Sequence, residues 1–300
     1  MHLNLHLLRI FFTVATRQSF SRASEDLYVS QPAVSKAVRE LENLLGLPLI
    51  ERGAGGPRGA RGVRLTESGA ALFDHARGIF ALERAAVEDI DLRIKLRRGT
   101  LTLGASTTIA SYWLPPYLAK FAADFPLAAP RIVVGNTHEI VEQLLDCRVD
   151  LALVEGDVDD PRIQVEHWRD DEMMIVVAPD VDLPQEEGAY LDWLQGQRWI
   201  VREDGSGTRD AVHRHLARLG IDATNVLEVG SNEAIARMVS GGVGISMLPK
   251  VVIEDLVLLD RLKVLVLHPD VSLLRPLYRL VLKDRPRSPL AAEFETLLTK

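Results

Sequence analysis

Ser30-Gln31-Pro32-Ala33-Val34-Ser35-Lys36-Ala37-Val38-Arg39-Glu40-Leu41 is the stretch whose reading decides the fold. Read as a helix, it starts where Ser30 can cap free N–H groups and where Pro32, in the first turn, loses no hydrogen bond. Val34, Val38, Leu41 and Leu45 repeat at helical spacing and define a buried face. The opposite face carries Pro32, Lys36, Arg39 and Asn43, flanked by Gln31 and Ser35, and Gly46 is placed to stop the helix. Amide, hydroxyl and cationic donors at the leading end of such a helix suit major-groove base edges and phosphates. The competing reading is an ordinary surface helix with solvated charges.

The flanking sequence favours the groove reading. Leu5, Leu8, Phe12 and Ala15 predict a first amphipathic helix. Ser21–Leu27 predicts a short second one, capped by Ser21 and ended by the turn Tyr28-Val29-Ser30, which completes a helix-turn-helix. Downstream, 49–52 and 62–65 read as two short strands. The Gly-rich segment between them, with Arg58, Arg61 and then Arg64, reads as a wing reaching phosphate or the minor groove.

Residues 1–70 therefore resemble the winged helix-turn-helix of LysR-type transcriptional regulators. The matching residues are Phe11-Phe12-Thr13-Val14-Ala15, Ser19-Phe20-Ser21-Arg22-Ala23, Val29 through Ser35, Leu41-Glu42 and Arg64-Leu65-Thr66-Glu67-Ser68-Gly69, with order and spacing kept throughout. The wing is longer and richer in glycine than the family pattern. The resemblance implies Arg22, Ser30, Gln31, Pro32, Ser35, Lys36, Arg39, Arg58, Arg61 and Arg64 as the DNA-binding set.

The chain has 300 residues, 47% of them hydrophobic and 26% charged, as in ordinary globular protein. No apolar run approaches the ~20 residues of a membrane span, and no cleavable signal pattern opens the chain, so a cytoplasmic location is expected. Cys147 is the single cysteine, which rules out an internal disulfide. No Cys/His cluster has metal spacing, and His213 and His215 read as surface residues. The net charge of −7 divides unevenly: residues 1–98 hold 15 Lys and Arg against 11 Asp and Glu, the remainder 20 against 31, or +4 and −11. That asymmetry fits a DNA-facing head on an acidic body that the duplex repels.

From Thr66 to about Leu96 the pattern predicts one long helix. Phe73, Phe80, Val87 and Ile94 recur every seven residues, a coiled-coil signal that predicts a dimer seam. The competing reading packs the stripe on the helix's own domain. In the resembled family this segment is the linker helix, which pairs antiparallel in dimers. Arg97-Arg98-Gly99 marks a hinge.

Beyond it, strands and helices alternate. Strands are predicted at 101–104, 131–135, 150–154, 173–178, 199–201, 226–229, 244–247, 262–267 and 277–283. Helices are predicted at 114–125, 139–147, 208–219, 232–239 and 289–300. Two βαβ-type lobes with a late return to the first fit a periplasmic-binding-protein-like domain. The expected chain is thus an α/β protein with an all-α-type winged helix-turn-helix head at 1–65, a linker and dimerisation helix at 66–98 and a two-lobed effector domain at 99–300. Lobe I is placed near 99–168 and 271–300, lobe II near 169–270.

Ligands of open α/β sheets bind beyond the carboxyl ends of strands. There the sequence offers Ser106, Thr107 and Thr108, then Thr137, then Gly205, Ser206, Gly207, Thr208 and Arg209, hydroxyls and N–H groups at helix starts that suit an anion. Ser and Thr also serve as plain helix caps, and Asp210 or Glu203 are alternative partners for Arg209. Gly104–Pro115, Gly135–Ile140 and Gly205–Arg209 further resemble the LysR regulators related to sulfur assimilation, which implies a small oxyanion or carboxylate effector. Ile109 and Trp113 add apolar surface beyond what an inorganic anion needs. The resemblance implies double-stranded DNA, a small effector, a second copy of the chain in dimers or tetramers, and RNA polymerase as partners, with no cofactor, metal, membrane or catalysis. The alternative class is a cytoplasmic solute-binding protein or enzyme with a DNA-binding-like head. No Ser-His-Asp order, carboxylate pair or phosphate loop supports it.

Overall fold

The computed structural model describes residues 2–51, 63–93, 99–184, 189–267 and 272–299. It divides into two compact units, Met1–Arg84 and Ala85–Lys300.

In the first unit, α1 (Leu5–Arg17) is capped by the Asn4 side chain, which accepts from the N–H groups of His6 and Leu7 at 3.0 and 3.2 Å. The second helix, α2 (Phe20–Asp26), starts one residue before the expected position. Its cap is Ser19, accepting from Arg22 N–H at 3.3 Å, and not Ser21. The decisive stretch is α3 (Gln31–Leu45), ended by Gly46 with φ +69°, a conformation glycine adopts without strain. Ser30 holds the N-cap position but makes no capping hydrogen bond. Val34, Val38 and Leu41 join Leu8, Phe11 and Val14 in one core.

The wing's base is present as a single antiparallel bridge, Ile50 to Leu65, in place of two full strands. Its tip, with Arg58 and Arg61, lies outside the described residues. Buried Glu42 pins the chain leading to it, accepting from Leu49 and Ile50 N–H at 2.9 and 3.3 Å. Thr66 caps α4 (Glu67–Arg93) by accepting from Gly69 N–H at 3.0 Å and donates to Pro48 O at 2.7 Å. A Cβ on Gly69 would overlap the Leu49 carbonyl, so the Thr-Glu-Ser-Gly motif is a packing requirement.

After the end of α4, the second unit continues with β1 (Gly99–Ser106), a π-helical turn (Ile109–Trp113) and α5 (Pro115–Asp124). Then follow β2 (Ala128–Gly135), α6 (Thr137–Leu145), β3 (Leu151–Glu155) and β4 (Ile163–Val177). The chain continues through α7 (Ala189–Gln195), β5 (Trp199–Val201), α8 (Gly207–Arg218), β6 (Val226–Glu228), α9 (Asn232–Ser240) and β7 (Ser246–Pro249). It ends with α10 (Lys250–Leu258), β8 (Lys263–Leu265), β9 (Leu274–Leu282) and α11 (Pro289–Leu298).

The strand order β2-β1-β3-β9-β4-β7, with β8 also on β4, runs through both lobes. The continuity comes from β4, whose first half pairs antiparallel with β9 up to Glu172 and whose second half, from Met173, pairs with β7 and β8. The lobes therefore exchange at Glu172/Met173, a few residues beyond the expected 168/169. The first half of β4 and helices α7 and α10 are absent from the sequence-based prediction. His215, expected at the surface, is buried on the α8 face that also carries Thr208. Burial, with help from Arg218, pushes its imidazole pKa below the ordinary value.

Candidate functional site

On the head, α3 buries its apolar face, so Gln31, Pro32, Lys36 and Arg39 stay exposed, with Ser30 just ahead and Ser35 half-buried. Arg22 on α2 and Arg64 at the wing base are exposed too. None of Arg22, Lys36, Arg39 and Arg64 forms an ion pair among the described residues, whereas neighbouring Arg17 is spent on Asp26 and Arg9 on Glu83. Free cations on the groove face beside neutralised ones away from it are what a phosphate-binding surface requires.

The seven-residue stripe on α4 divides. Phe73 and Phe80, expected on a dimer seam, pack on Phe12 of the head, ring centroids 5.1 and 5.3 Å apart, because the first half of α4 completes the head core. Val87 is 56% exposed, as is Ile90, and Ile94 lies outside the described residues.

In the second unit, the seam between the lobes gathers the turns that follow β1, β2, β3 and β5. From lobe II, Arg202 is nearly fully buried, its side chain 2% exposed. Its Nη1 donates to Thr107 Oγ1 of lobe I at 3.1 Å, while Nε and Nη2 form a fork on Glu203 at 2.7 and 2.8 Å. Glu203 in turn accepts from Asn136 Nδ2 of lobe I at 3.4 Å. Burial raises the Glu203 carboxyl, but the hydrogen bonds and charge of Arg202 outweigh it and hold the pKa below its ordinary value. Asn232, at the start of α9, donates to Thr108 Oγ1 at 2.9 Å; both are 1% exposed, and Asn232 Oδ1 has no partner among the described residues. Tyr112 adds a further bond to Glu233 at 3.3 Å.

Deeper in the seam lies a second cluster. Arg275 on β9, fully buried, donates to Asp171 Oδ2 from Nε and Nη2 at 3.0 and 2.7 Å, and to Thr208 Oγ1 from Nη1 at 2.8 Å. Its Nη1 also approaches Glu155 Oε1 at 3.4 Å, and Thr208 donates to the same oxygen at 3.0 Å. Two carboxylates thus share one guanidinium. Burial pushes the Asp171 carboxyl up further than Arg275 pulls it down, and Glu155 adds to the rise.

Several expected ligand groups are thereby engaged within the protein. Thr208 is held by Arg275 and Glu155. The Thr137 hydroxyl donates to the Glu155 carbonyl at 2.6 Å, and Ser106 Oγ accepts from Ile109 N–H at 3.4 Å. Arg209 turns toward β6, pairing with Glu228 and donating to the Arg202 carbonyl, because this is where the first turn of α8 places its guanidinium. Gly207 answers to chain packing: a Cβ there would overlap the Glu155 carbonyl. Gly205, at φ +78°, presents its carbonyl to His138 N–H at 3.1 Å. Ser206 is buried at the N-cap of α8 without a capping bond. Sequence reasoning missed Arg202, Asn136, Asn232, Glu155, Asp171 and Arg275, and offered Glu203 only as a partner for Arg209, whereas it pairs with Arg202. A usable signal existed: Glu155 closes an apolar strand, Arg202 directly follows one, and Arg275 is one of two arginines, with Arg279, inside the otherwise largely apolar run of β9.

A two-helix DNA-reading head joined to a two-lobed α/β body defines a ligand-linked regulator. Residues 5–70 match the family model for the lysR-family bacterial regulatory helix-turn-helix protein, and residues 95–300 that for the LysR substrate binding domain. The chain belongs to the LysR family of DNA-binding transcriptional regulators, whose second domain receives small-molecule effectors. The HTH-type transcriptional regulator YeiE of Escherichia coli (strain K12) is 36% identical over 259 residues, 85% of this chain and 83% of that protein. The RuBisCO operon transcriptional regulator of Allochromatium vinosum is 32% identical over 254 residues, 85% of this chain and 82% of that one. Full-length OxyR from Pseudomonas aeruginosa shares the fold, with a TM-score of 0.74 at 22% identity over 99% of this chain and 94% of that one. The Synechocystis CcmR regulatory domain in complex with 2-PG aligns at a TM-score of 0.60 and 26% identity, over 67% of this chain and 96% of that one. No described helix is long and apolar enough to cross a membrane.

Proposed function

We propose that this regulator acts in the cytoplasm as a homo-oligomer, reads its operator with α3, and takes as effector a small oxyanion or carboxylate between the lobes. Gln31 and Ser35 face base edges, with Ser30 and Pro32 at the helix start. Arg22, Lys36 and Arg39 meet phosphate, and Arg64 with the wing residues Arg58 and Arg61 reaches backbone or minor groove. The observation behind the DNA contacts is the set of unpaired cations on the exposed face of α3. Self-association uses the far half of α4, where Val87 and Ile90 remain exposed.

The observation behind the effector class is Arg202, a buried guanidinium in the seam, with Thr107, Thr108 and Asn136 supplied by the other lobe. A ligand moves the lobes only through different affinity for their arrangements, so it must engage both sides, and these residues do. That a relative, CcmR, holds 2-PG in its regulatory domain supports the same class.

Titrating operator DNA with Gln31→Ala plus Lys36→Ala tests the groove reading. Loss of a base contact should cost about 1–3 kcal/mol and relax sequence preference. Unchanged affinity with a folded head would overturn it. Calorimetric titration of the full chain with sulfate and small carboxylates, wild type against Arg202→Gln, tests the effector class. Binding that survives the substitution intact contradicts it.

A further inference from the structure

Glu203 occupies a place that a ligand needs. The Arg202 fork, Nε and Nη2, matches the two oxygens of one carboxylate or two oxygens of an oxyanion, and Glu203 already fills it at 2.7 and 2.8 Å. The same carboxylate reaches across the seam to Asn136, and the same guanidinium reaches across to Thr107. The pair therefore bridges the lobes in the way proposed for an effector.

An added anion cannot use this fork while Glu203 remains. Two negative groups would then share one buried guanidinium and repel each other, as Glu155 adds to the rise that burial imposes on the Asp171 carboxyl beside Arg275. The exposures of the two partners differ sharply: the Arg202 side chain is 2% exposed and that of Glu203 26%. Glu203 can leave for water by rotating its own side chain, with Gly230 beside it offering no side chain to block the path. Arg202 cannot leave. Thr107, which accepts from Arg202, is followed in the chain by Thr108, whose partner Asn232 from the other lobe has an Oδ1 without a partner among the described residues.

We propose that Glu203 is an internal stand-in for the effector, so that the effector is a two-oxygen anion that takes the Arg202 fork and expels Glu203 to solvent. This rests on the anion reading above. It adds that the empty state is held by a competing carboxylate from the chain itself. Affinity in the wild type is therefore set below what Arg202 could deliver, and halides, which cannot span the fork, bind poorly.

The test uses the full chain with sodium sulfate, sodium acetate and sodium chloride as probes, followed by calorimetry and by the ligand-dependent shift in melting temperature. Glu203→Ala should bind sulfate about tenfold or more tightly than wild type, since the competing charge-assisted fork is gone. Glu203→Gln, nearly isosteric and so able to keep the fold, should show the same direction. Chloride should gain least, and Arg202→Gln should abolish sulfate binding in both backgrounds. If wild type binds these anions through Arg202 but the Glu203 variants bind equally or more weakly, the stand-in is refuted while the anion reading survives. If neither wild type nor the folded Glu203 variants bind any of them, the anion reading itself fails and takes the stand-in with it.

Discussion

Arg275→Met removes the only cation seen to hold Glu155 and Asp171 among the described residues. In the native seam Arg275 satisfies Asp171 with two short bonds and holds Thr208 at 2.8 Å. Methionine fills much of the same volume but leaves two buried carboxylates without a counter-charge. Breaking a buried pair in this way costs about 3–5 kcal/mol. For a unit of this size each kcal/mol lowers the melting temperature by about 2–4 °C, so a fall of roughly 6–20 °C is expected. The four tryptophans, Trp113, Trp168, Trp193 and Trp199, all lie beyond residue 98, so tryptophan fluorescence follows this unit alone. The pH dependence carries a sign. Asp171 has a folded pKa raised above its ordinary value. Its contribution is therefore fully present below the ordinary carboxylate range and lost as pH rises through the raised value. Without Arg275 the folded pKa rises further. The deficit of the variant against wild type should thus be largest at pH 8 and shrink as pH falls toward the carboxylate range. Adding Asp171→Asn to Arg275→Met should recover part of the loss at pH 8 by removing one uncompensated charge. A loss under about 1 kcal/mol, or one equal at pH 5 and pH 8, would refute the reasoning.

Three further substitutions probe packing and association. Phe80→Glu should unfold the head, read as lost helicity and lost DNA binding, because the Phe80 ring packs at a tilt against Phe12 inside that unit; Val87→Glu should leave the head folded and lower the mass seen by light scattering, and a Val87→Glu protein of unchanged mass argues against a seam at that position. Gly207→Ala should destabilise the second unit and weaken the bonds across its seam, since the new Cβ overlaps the Glu155 carbonyl; a melting curve matching wild type would show that the close approach of β3 and α8 is dispensable.

The head was legible because its signals are local. Spacing of apolar residues, Pro32 in the first turn and Gly46 at the stop are properties of neighbouring residues, and they specify α3 without any knowledge of what it packs on. The slip at α2, Ser21 in place of Ser19 as its cap, exchanges two serines of the same segment. The first half of β4 was illegible for the opposite reason. Ile163 to Glu166 alternate, but the polar run of His167, Arg169, Asp170, Asp171 and Glu172, broken only by Trp168, ends the pattern. What makes it a strand is nine paired positions along β9, more than a hundred residues away in sequence. Helix α10, a mostly apolar run with no side-chain cap, offers neither a start signal nor a clean period.

The site shows the same division, with a consequence for mechanism. The turn residues Ser106, Thr107, Thr108 and Thr208 were visible as a cluster of donors. Whether a hydroxyl is free is a tertiary property, and in the fold their oxygens carry bonds to Ile109, Arg202, Asn232 and Arg275. The bonds of Thr107, Thr108 and Thr208 thus tie the two lobes together before any ligand arrives. In the mechanism proposed above, charge selection falls instead to Arg202, a residue that looks ordinary just beyond a three-residue strand. A buried guanidinium without a partner costs several kcal/mol, so the chain must supply a counter-charge whenever the effector is absent. Glu203 meets that need from the adjacent position. The stability of the empty state and the strength of effector binding are therefore coupled through one carboxylate, and a substitution there cannot change the one without changing the other.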